Sequence, residues 1–273
     1  MSDAEVTTAV RRRYAAAATA VAAGDACCTT PEPNELARGL YDADERASLP
    51  SGAVAAALGC ANPVALAALR PGQTVLDLGS GGGIDVLLSA TRVGPAGFVY
   101  GLDMTDEMLA LAERSRVAAG AQNVRFLRGR MEAIPLDEAS VDVVLSNCVV
   151  NLSPDKARVF AEAYRVLRPA GRLAIADIAT LRPLPAPIRD SLDAWTGCIA
   201  GALEVTEIEA MLCAAGFVDV EIQTVRTYGR DDLAMVATSA LEGISFDGIA
   251  EADIDAGEGA LASVFVRAVK PAK

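Results

Sequence analysis

The 273-residue chain contains no histidine. Without an imidazole there is no Ser-His-Asp or Cys-His nucleophile, no His-ligated zinc or haem, and no histidine general base. Positive charge is also scarce, with 24 Lys and Arg against 36 Asp and Glu and a net charge of −12. An acidic chain repels phosphate backbones and anionic lipid, so no nucleic acid and no membrane surface is expected as a partner. No uncharged apolar run reaches the ~18 residues of a membrane-spanning helix. The six cysteines, Cys27, Cys28, Cys60, Cys148, Cys198 and Cys213, include no CxxC pair, so zinc-ribbon and thioredoxin-like motifs are absent.

What remains is an ordinary globular balance, 52% hydrophobic and 22% charged, in a chain long enough to fold without a disulfide or metal staple. Arg11-Arg12-Arg13, the Ala-rich run 14–24 and Cys27-Cys28 mimic a secretory leader ending at a lipid-attached cysteine. The run is barely hydrophobic, however, and Asp3 and Glu5 stand where a leader is basic. An amphipathic surface helix is the better reading, and the cytoplasm is the expected compartment. In a reducing compartment, scattered cysteines read first as small buried hydrophobes. Cys213, on an apolar helix face, is expected in the core.

Residues 1–70 read as a helical extension, with a turn-rich linker over 29–34 and a short helix beginning at Leu49-Pro50. From residue 71 strands and helices alternate. Strands are expected at 74–79, 98–103, 124–127, 141–146 and 172–176. The helices between them are expected at 84–92, 107–119 (capped by Thr105-Asp106) and 155–167, the last ended by Pro169-Ala170-Gly171. Strands joined by single helices imply right-handed crossovers and a doubly wound, mostly parallel α/β sheet. The division reads as 1–70, 71–180 and 181–273. The last part carries a lid-like helical piece over 183–203, a helix at 207–216, late strands at 218–222 and 263–269, and an acidic loop over 247–258.

Asp77-Leu78-Gly79-Ser80-Gly81-Gly82-Gly83 follows the first strand, where open α/β sheets bind ligands. Its glycines admit a ligand close to the backbone, and the next helix offers free N–H groups. Ile84 stands where a dinucleotide fingerprint wants a small residue, which argues against a nicotinamide cofactor. Asp103 ends the second strand and can accept both hydroxyls of a ribose. This pattern resembles class I methyltransferases, with a Rossmann-like fold and S-adenosylmethionine as cofactor.

The segments Tyr41…Leu49-Pro50, Leu58-Gly59-Cys60-Ala61-Asn62-Pro63, Gly101-Leu102-Asp103-Met104-Thr105, Ser146-Asn147-Cys148-Val149-Val150-Asn151-Leu152-Ser153-Pro154-Asp155-Lys156 and Gly197-Cys198-Ile199-Ala200-Gly201-Ala202 together resemble the arsenite methyltransferase family. The resemblance covers about residues 35–270. Ala61 and Ala170 stand where it would have Gly, and the 247–258 loop departs from it. It implies that Cys148 and Cys198 hold trivalent arsenic as thiolates and that Cys60 joins them as third ligand or redox partner. Soft sulfur suits a soft acceptor. It further implies a cofactor site in which Asp77, Gly79 and Gly81 line the methionine end and Asp103 the ribose. Met104 would pack on the adenine, Met131 and Glu132 meet its amine, and Asn147 and Tyr41 lie close by. Electrons would return through cysteine pairs that form a disulfide, reopened by a thiol reductant such as glutathione or thioredoxin. Cys27 and Cys28 sit where the family carries further cysteines, one of which is implied to pair with Cys60. Two other readings stay open at this point: a small-molecule C- or O-methyltransferase with incidental cysteines, and a non-catalytic arsenite-binding module.

Overall fold

The structure, a computed structural model, describes residues 2–23, 47, 49–56, 62–229, 252, 255 and 257–273. Cys27, Cys28, Tyr41, Cys60, Ala61, the 29–34 linker and most of the 247–258 stretch lie outside the described residues.

Seven strands form one sheet in the order β3-β2-β1-β4-β5-β7-β6. They are β1 (Thr74–Leu78), β2 (Phe98–Asp103), β3 (Val124–Arg128), β4 (Val141–Asn147), β5 (Leu167–Thr180), β6 (Val218–Thr227) and β7 (Leu261–Val269). The first five run parallel; β7 pairs antiparallel with β5 and β6. The late strands therefore extend the same sheet. Alternate strand residues bury opposite faces: Leu76, Leu78, Val144 and Leu173 on one, Val75, Val143, Leu145 and Ala174 on the other. Both faces need cover, which is why these strands read as near-continuous apolar runs.

The covering helices follow from their apolar spacing. They are α1 (Asp3–Ala23), α2 (Ser51–Ala55), α3 (Pro63–Leu66), α4 (Ile84–Val93), α5 (Asp106–Ala118), α6 (Lys156–Val166), α7 (Ala186–Arg189), α8 (Leu192–Thr196) and α9 (Val205–Ala215). Helix α4 packs Val86, Leu87 and Val93 on one face of the sheet, and α6 packs Val159, Phe160 and Ala163 on the other. Helix α1 starts well before the Ala-rich run because Ser2 and Glu5 form a reciprocal cap, Ser2 N–H to Glu5 at 2.7 Å and Glu5 N–H to Ser2 Oγ at 3.4 Å. No described helix is long and apolar enough to cross a membrane.

Three expectations are corrected. Helix α6 stops at Val166, and β5 begins at Leu167 and runs through Pro169-Ala170-Gly171, with a register shift opposite Val141 and Val143. Ala170 there has φ 62°, a left-handed geometry that a Cβ resists by about 1 kcal/mol; glycine would take it freely. Thr105 is the N-cap of α5, but its side chain makes no capping hydrogen bond. Cys213 is exposed: α9 buries Ile208 and Leu212, and the residue after Leu212 is turned about 100° off that face.

Candidate active site

The chain leaves β1 toward β2 and β3 and returns to β4 on the other side. Such a reversal opens a crevice at the carboxyl ends of the two central strands. A cavity there is lined by residues 79–82 after β1, 102–105 at the end of β2, 129–132 after β3 and 147–149 after β4. The turns after β1 and β4 touch. Gly79 has φ 66°, and a Cβ on it would collide with the side chain of Val149, so the glycine brings Cys148 beside the Gly-rich turn.

Three carboxylates face one end of the cavity: Asp77, Asp85 and Asp103. Asp77 is 2% exposed and accepts no hydrogen bond from a described residue. Burial first, then the charges of Asp85 and Asp103, hold its carboxyl well above the usual range. Asp85 is held by the Asn147 side-chain amide at 3.0 Å. Asp103 accepts the Gly81 N–H at 3.0 Å and the Thr105 N–H at 2.8 Å. Burial raises its carboxyl, against the pull of these bonds. An unmatched buried carboxylate among two others fits a ligand carrying positive charge, and a carboxylate at a strand end fits ribose hydroxyls. The residues present thus suit the sulfonium and ammonium groups and the ribose of S-adenosylmethionine.

Met104, Met131 and Glu132 lie on the cavity wall. Glu132 receives Ser153 Oγ at 2.5 Å and Arg130 Nε at 3.1 Å. Burial pushes its carboxyl up, but these hydrogen bonds win and hold it low.

Cys148 follows β4 and Cys198 follows α8. Both adopt left-handed backbone, φ 53° and 65°, and both are buried. Cys148 lines the cavity and is disulfide-bonded. Cys198 is a free thiol that donates to the Cys148 carbonyl oxygen at 2.9 Å across 50 residues of sequence. Burial and the nearby Asp177 push the Cys198 thiol pKa up, and the Tyr14 hydroxyl hydrogen-bonds its sulfur. The structure therefore brings Cys148, Cys198, Asp77, Gly79, Gly81, Asp103, Met104, Met131, Glu132 and Asn147 to one region. Tyr41 and Cys60 lie outside the described residues.

Sequence reasoning missed Tyr14 and Asp85. Helix α1 is no mere surface helix: it sends Thr7, Val10 and Tyr14 to the cavity wall and ties Arg13 to Thr196 of α8 at 3.3 Å. The available signal was an aromatic in an Ala-rich run. For Asp85 it was a lone acid in the otherwise apolar opening of α4, Ile84-Asp85-Val86-Leu87-Leu88.

The sequence matches the family described as "Methyltransferase domain" over residues 69–216. An arsenite methyltransferase of Halobacterium salinarum is 49% identical over 199 residues, 73% of this chain and 51% of that protein. The arsenite methyltransferase of Homo sapiens is 39% identical over 152 residues, 52% of this chain and 40% of that protein. The chain spans about half the length of the curated relatives it matches. Among solved structures, an arsenic (III) S-adenosylmethionine methyltransferase from Chlamydomonas reinhardtii superposes with a TM-score of 0.67 at 32% identity, covering 85% of this chain and 75% of that one.

Proposed function

This chain belongs to the arsenite methyltransferase family, and on that premise we propose that it moves the methyl group of S-adenosylmethionine onto trivalent arsenic held by cysteine sulfur, a detoxifying methylation. The observation that carries this reading is the Cys198 sulfur 2.9 Å from the Cys148 carbonyl, with Cys148 itself on the cavity wall.

When bound, S-adenosylmethionine supplies a methyl on a positively charged sulfur. Asp77, Gly79 and Gly81 receive the methionine end, Asp103 the ribose, and Met104, Met131 and Glu132 the adenine, with Asn147 and Tyr41 beside them. Cys148 and Cys198 bind the arsenical, and Cys60 is the third ligand or redox partner. Arsenite brings its own hydroxyls. Each As–S bond replaces an As–O bond, and the thiol proton leaves on the departing hydroxyl as water. The raised thiol pKa of Cys198 is therefore no obstacle, because no base has to ionise the thiol first. Two thiolates then fix the arsenic lone pair toward the methyl, and alignment of this kind is worth up to ~7–11 kcal/mol. Transfer would form an As–C bond at the expense of the cofactor's S–C bond and would formally oxidise arsenic by two electrons. The lone pair carries no proton, so the transfer needs no base, in keeping with a chain that has no histidine; the positive charge passes to arsenic and leaves as a proton when the reduced methylarsenical takes up water.

The electrons return when a cysteine pair closes to a disulfide. Cys148 is disulfide-bonded here, so two external thiol groups, from two glutathiones or one thioredoxin, open it before arsenic binds. A reducing cytoplasm would supply such a thiol. The acidic chain takes neither nucleic acid nor a membrane surface as partner.

The test is incubation of reduced protein with labelled S-adenosylmethionine, arsenite and a thiol. Methylated arsenic is expected. Intact cofactor binding without methylated arsenic would favour a C- or O-methyltransferase, and tight arsenite binding without cofactor affinity a sequestering module.

A further inference from the structure

The block from Asn151 to Lys156 and the glycine three residues after Cys198 belong to the sequence pattern of this chain, yet the chemistry above uses neither Asn151 nor Gly201. We propose that Asn151 is a positioning residue that clamps the Cys198 loop onto the end of β4 so that the two cysteine sulfurs meet, with Trp195 and Gly201 completing the clamp. The purpose of the clamp rests on the reading that Cys148 and Cys198 share an arsenic atom.

Asn151 is 3% exposed. Its side-chain amide nitrogen, with two protons, faces three acceptors: the Ile178 carbonyl at 2.6 Å, Asp177 Oδ1 at 2.9 Å and the Cys198 carbonyl at 3.3 Å. Its backbone N–H reaches Asp177 Oδ2 at 3.2 Å. One short side chain thus joins the turn after β4, the end of β5 and the loop after α8. Every group around that nitrogen is an acceptor, so the site requires a donor with two protons. Aspartate would set a carboxylate against Asp177, serine has one proton and leucine none.

Trp195, three residues before Cys198, reinforces the contact. Its indole N–H donates to the Leu152 carbonyl at 3.3 Å, and the Lys156 ammonium lies 4.7 Å from its ring centroid while donating to the Ser153 carbonyl at 2.9 Å. Gly201 closes the other side: a Cβ there would collide with the Asn151 carbonyl oxygen. Cys198 sits at φ 65°, a geometry that a residue with a Cβ keeps only when its surroundings fix it. These contacts do the fixing. Asn151, Trp195 and Gly201 are not on the cavity wall, although Leu152 and Ser153, which the clamp holds by their carbonyls, are.

The experiment compares Asn151→Ser and Gly201→Ala with the parent in full-length chains whose Cys27, Cys28, Cys60 and Cys213 are serine, leaving two thiols. Dibromobimane, which fluoresces on bridging two thiols, reports how often Cys148 and Cys198 meet. The bridging rate should fall roughly tenfold or more in both variants, while affinity for S-adenosylhomocysteine stays within about twofold. In the reduced native-cysteine chain, arsenite titration followed by the emission of Trp195, the only tryptophan, should show a dissociation constant raised on the order of tenfold to a hundredfold. Unchanged bridging in both variants overturns the proposal. So do equal losses of bridging and cofactor affinity in both, which mark general disruption. A parent that bridges but binds no arsenite refutes the arsenic reading, and the bridging rates then decide the clamp by themselves.

Discussion

Replacing Asp103 with alanine removes one side chain that serves the fold and, in the proposed site, the cofactor ribose. Its two oxygens take the N–H groups of Gly81 and Thr105 at 3.0 and 2.8 Å. Each abandoned donor costs about 1–3 kcal/mol. Because the residue borders a cavity that water can enter, the low end applies, and we expect a stability loss of about 2 kcal/mol for the pair. At ~2–4 °C per kcal/mol for a chain of this size, the melting temperature should fall by about 4–8 °C. The lost hydrogen bonds to the ribose should weaken cofactor binding by roughly 1.5–3 kcal/mol, or about 10–150-fold in dissociation constant. One effect runs the other way: the Asp103 charge helps to raise the Asp77 carboxyl, so removing it lets Asp77 ionise more readily toward a cationic ligand, holding the net loss below the sum. Asp103→Asn keeps one acceptor and should fall between the parent and alanine. Calorimetric titration with S-adenosylhomocysteine, alongside thermal melting, measures both terms. A dissociation constant within about twofold of the parent, in a folded variant, refutes the ribose role.

Cys148→Ser and Cys198→Ser should each abolish arsenite methylation, with S-adenosylhomocysteine affinity preserved in both; near-normal turnover in either, read by arsenic speciation, disproves the ligand assignment. Burial lowers native Lys156 from 10.5 to about 8, so between those values the unfolded chain holds a proton that the native chain has shed, and stability rises with pH across the window. Lys156→Met lacks that rise, so the parent's melting temperature should gain on the variant's between about pH 7 and pH 10; parallel profiles would contradict it. Ala170→Gly relieves a left-handed φ of 62° but loosens the unfolded chain, so its melting temperature should move by no more than about 3 °C. A larger drop would show that the Ala170 methyl packs usefully.

The strand–helix alternation was legible because it is local. Apolar runs bounded by glycine and proline put β1, β2 and α4 within a residue or two of where they stand. The glycine turn was legible for the same reason: Asp77, Gly79, Gly81 and Asp103 stand at or beside strand ends, which the sequence marks. The α6–β5 junction was misread because Pro169 and Gly171 look like a helix stop, whereas pairing of Leu167 with Val141 had already drawn the chain into the sheet. Cys213 was misread because the helix period identifies an apolar face but not how much of it a neighbour covers.

By itself the sequence determined the alternation of elements, the glycine turn and the absence of any imidazole, all properties of single residues or short windows. The tertiary structure decided that Cys198 meets the Cys148 carbonyl, that α1 brings Tyr14 to the Cys198 sulfur, and that Asp77 is buried without a hydrogen-bond partner among the described residues. Burial and hydrogen-bond matching depend on which distant segments become neighbours, and strand order and helix packing fix that only once the whole chain has closed around the sheet.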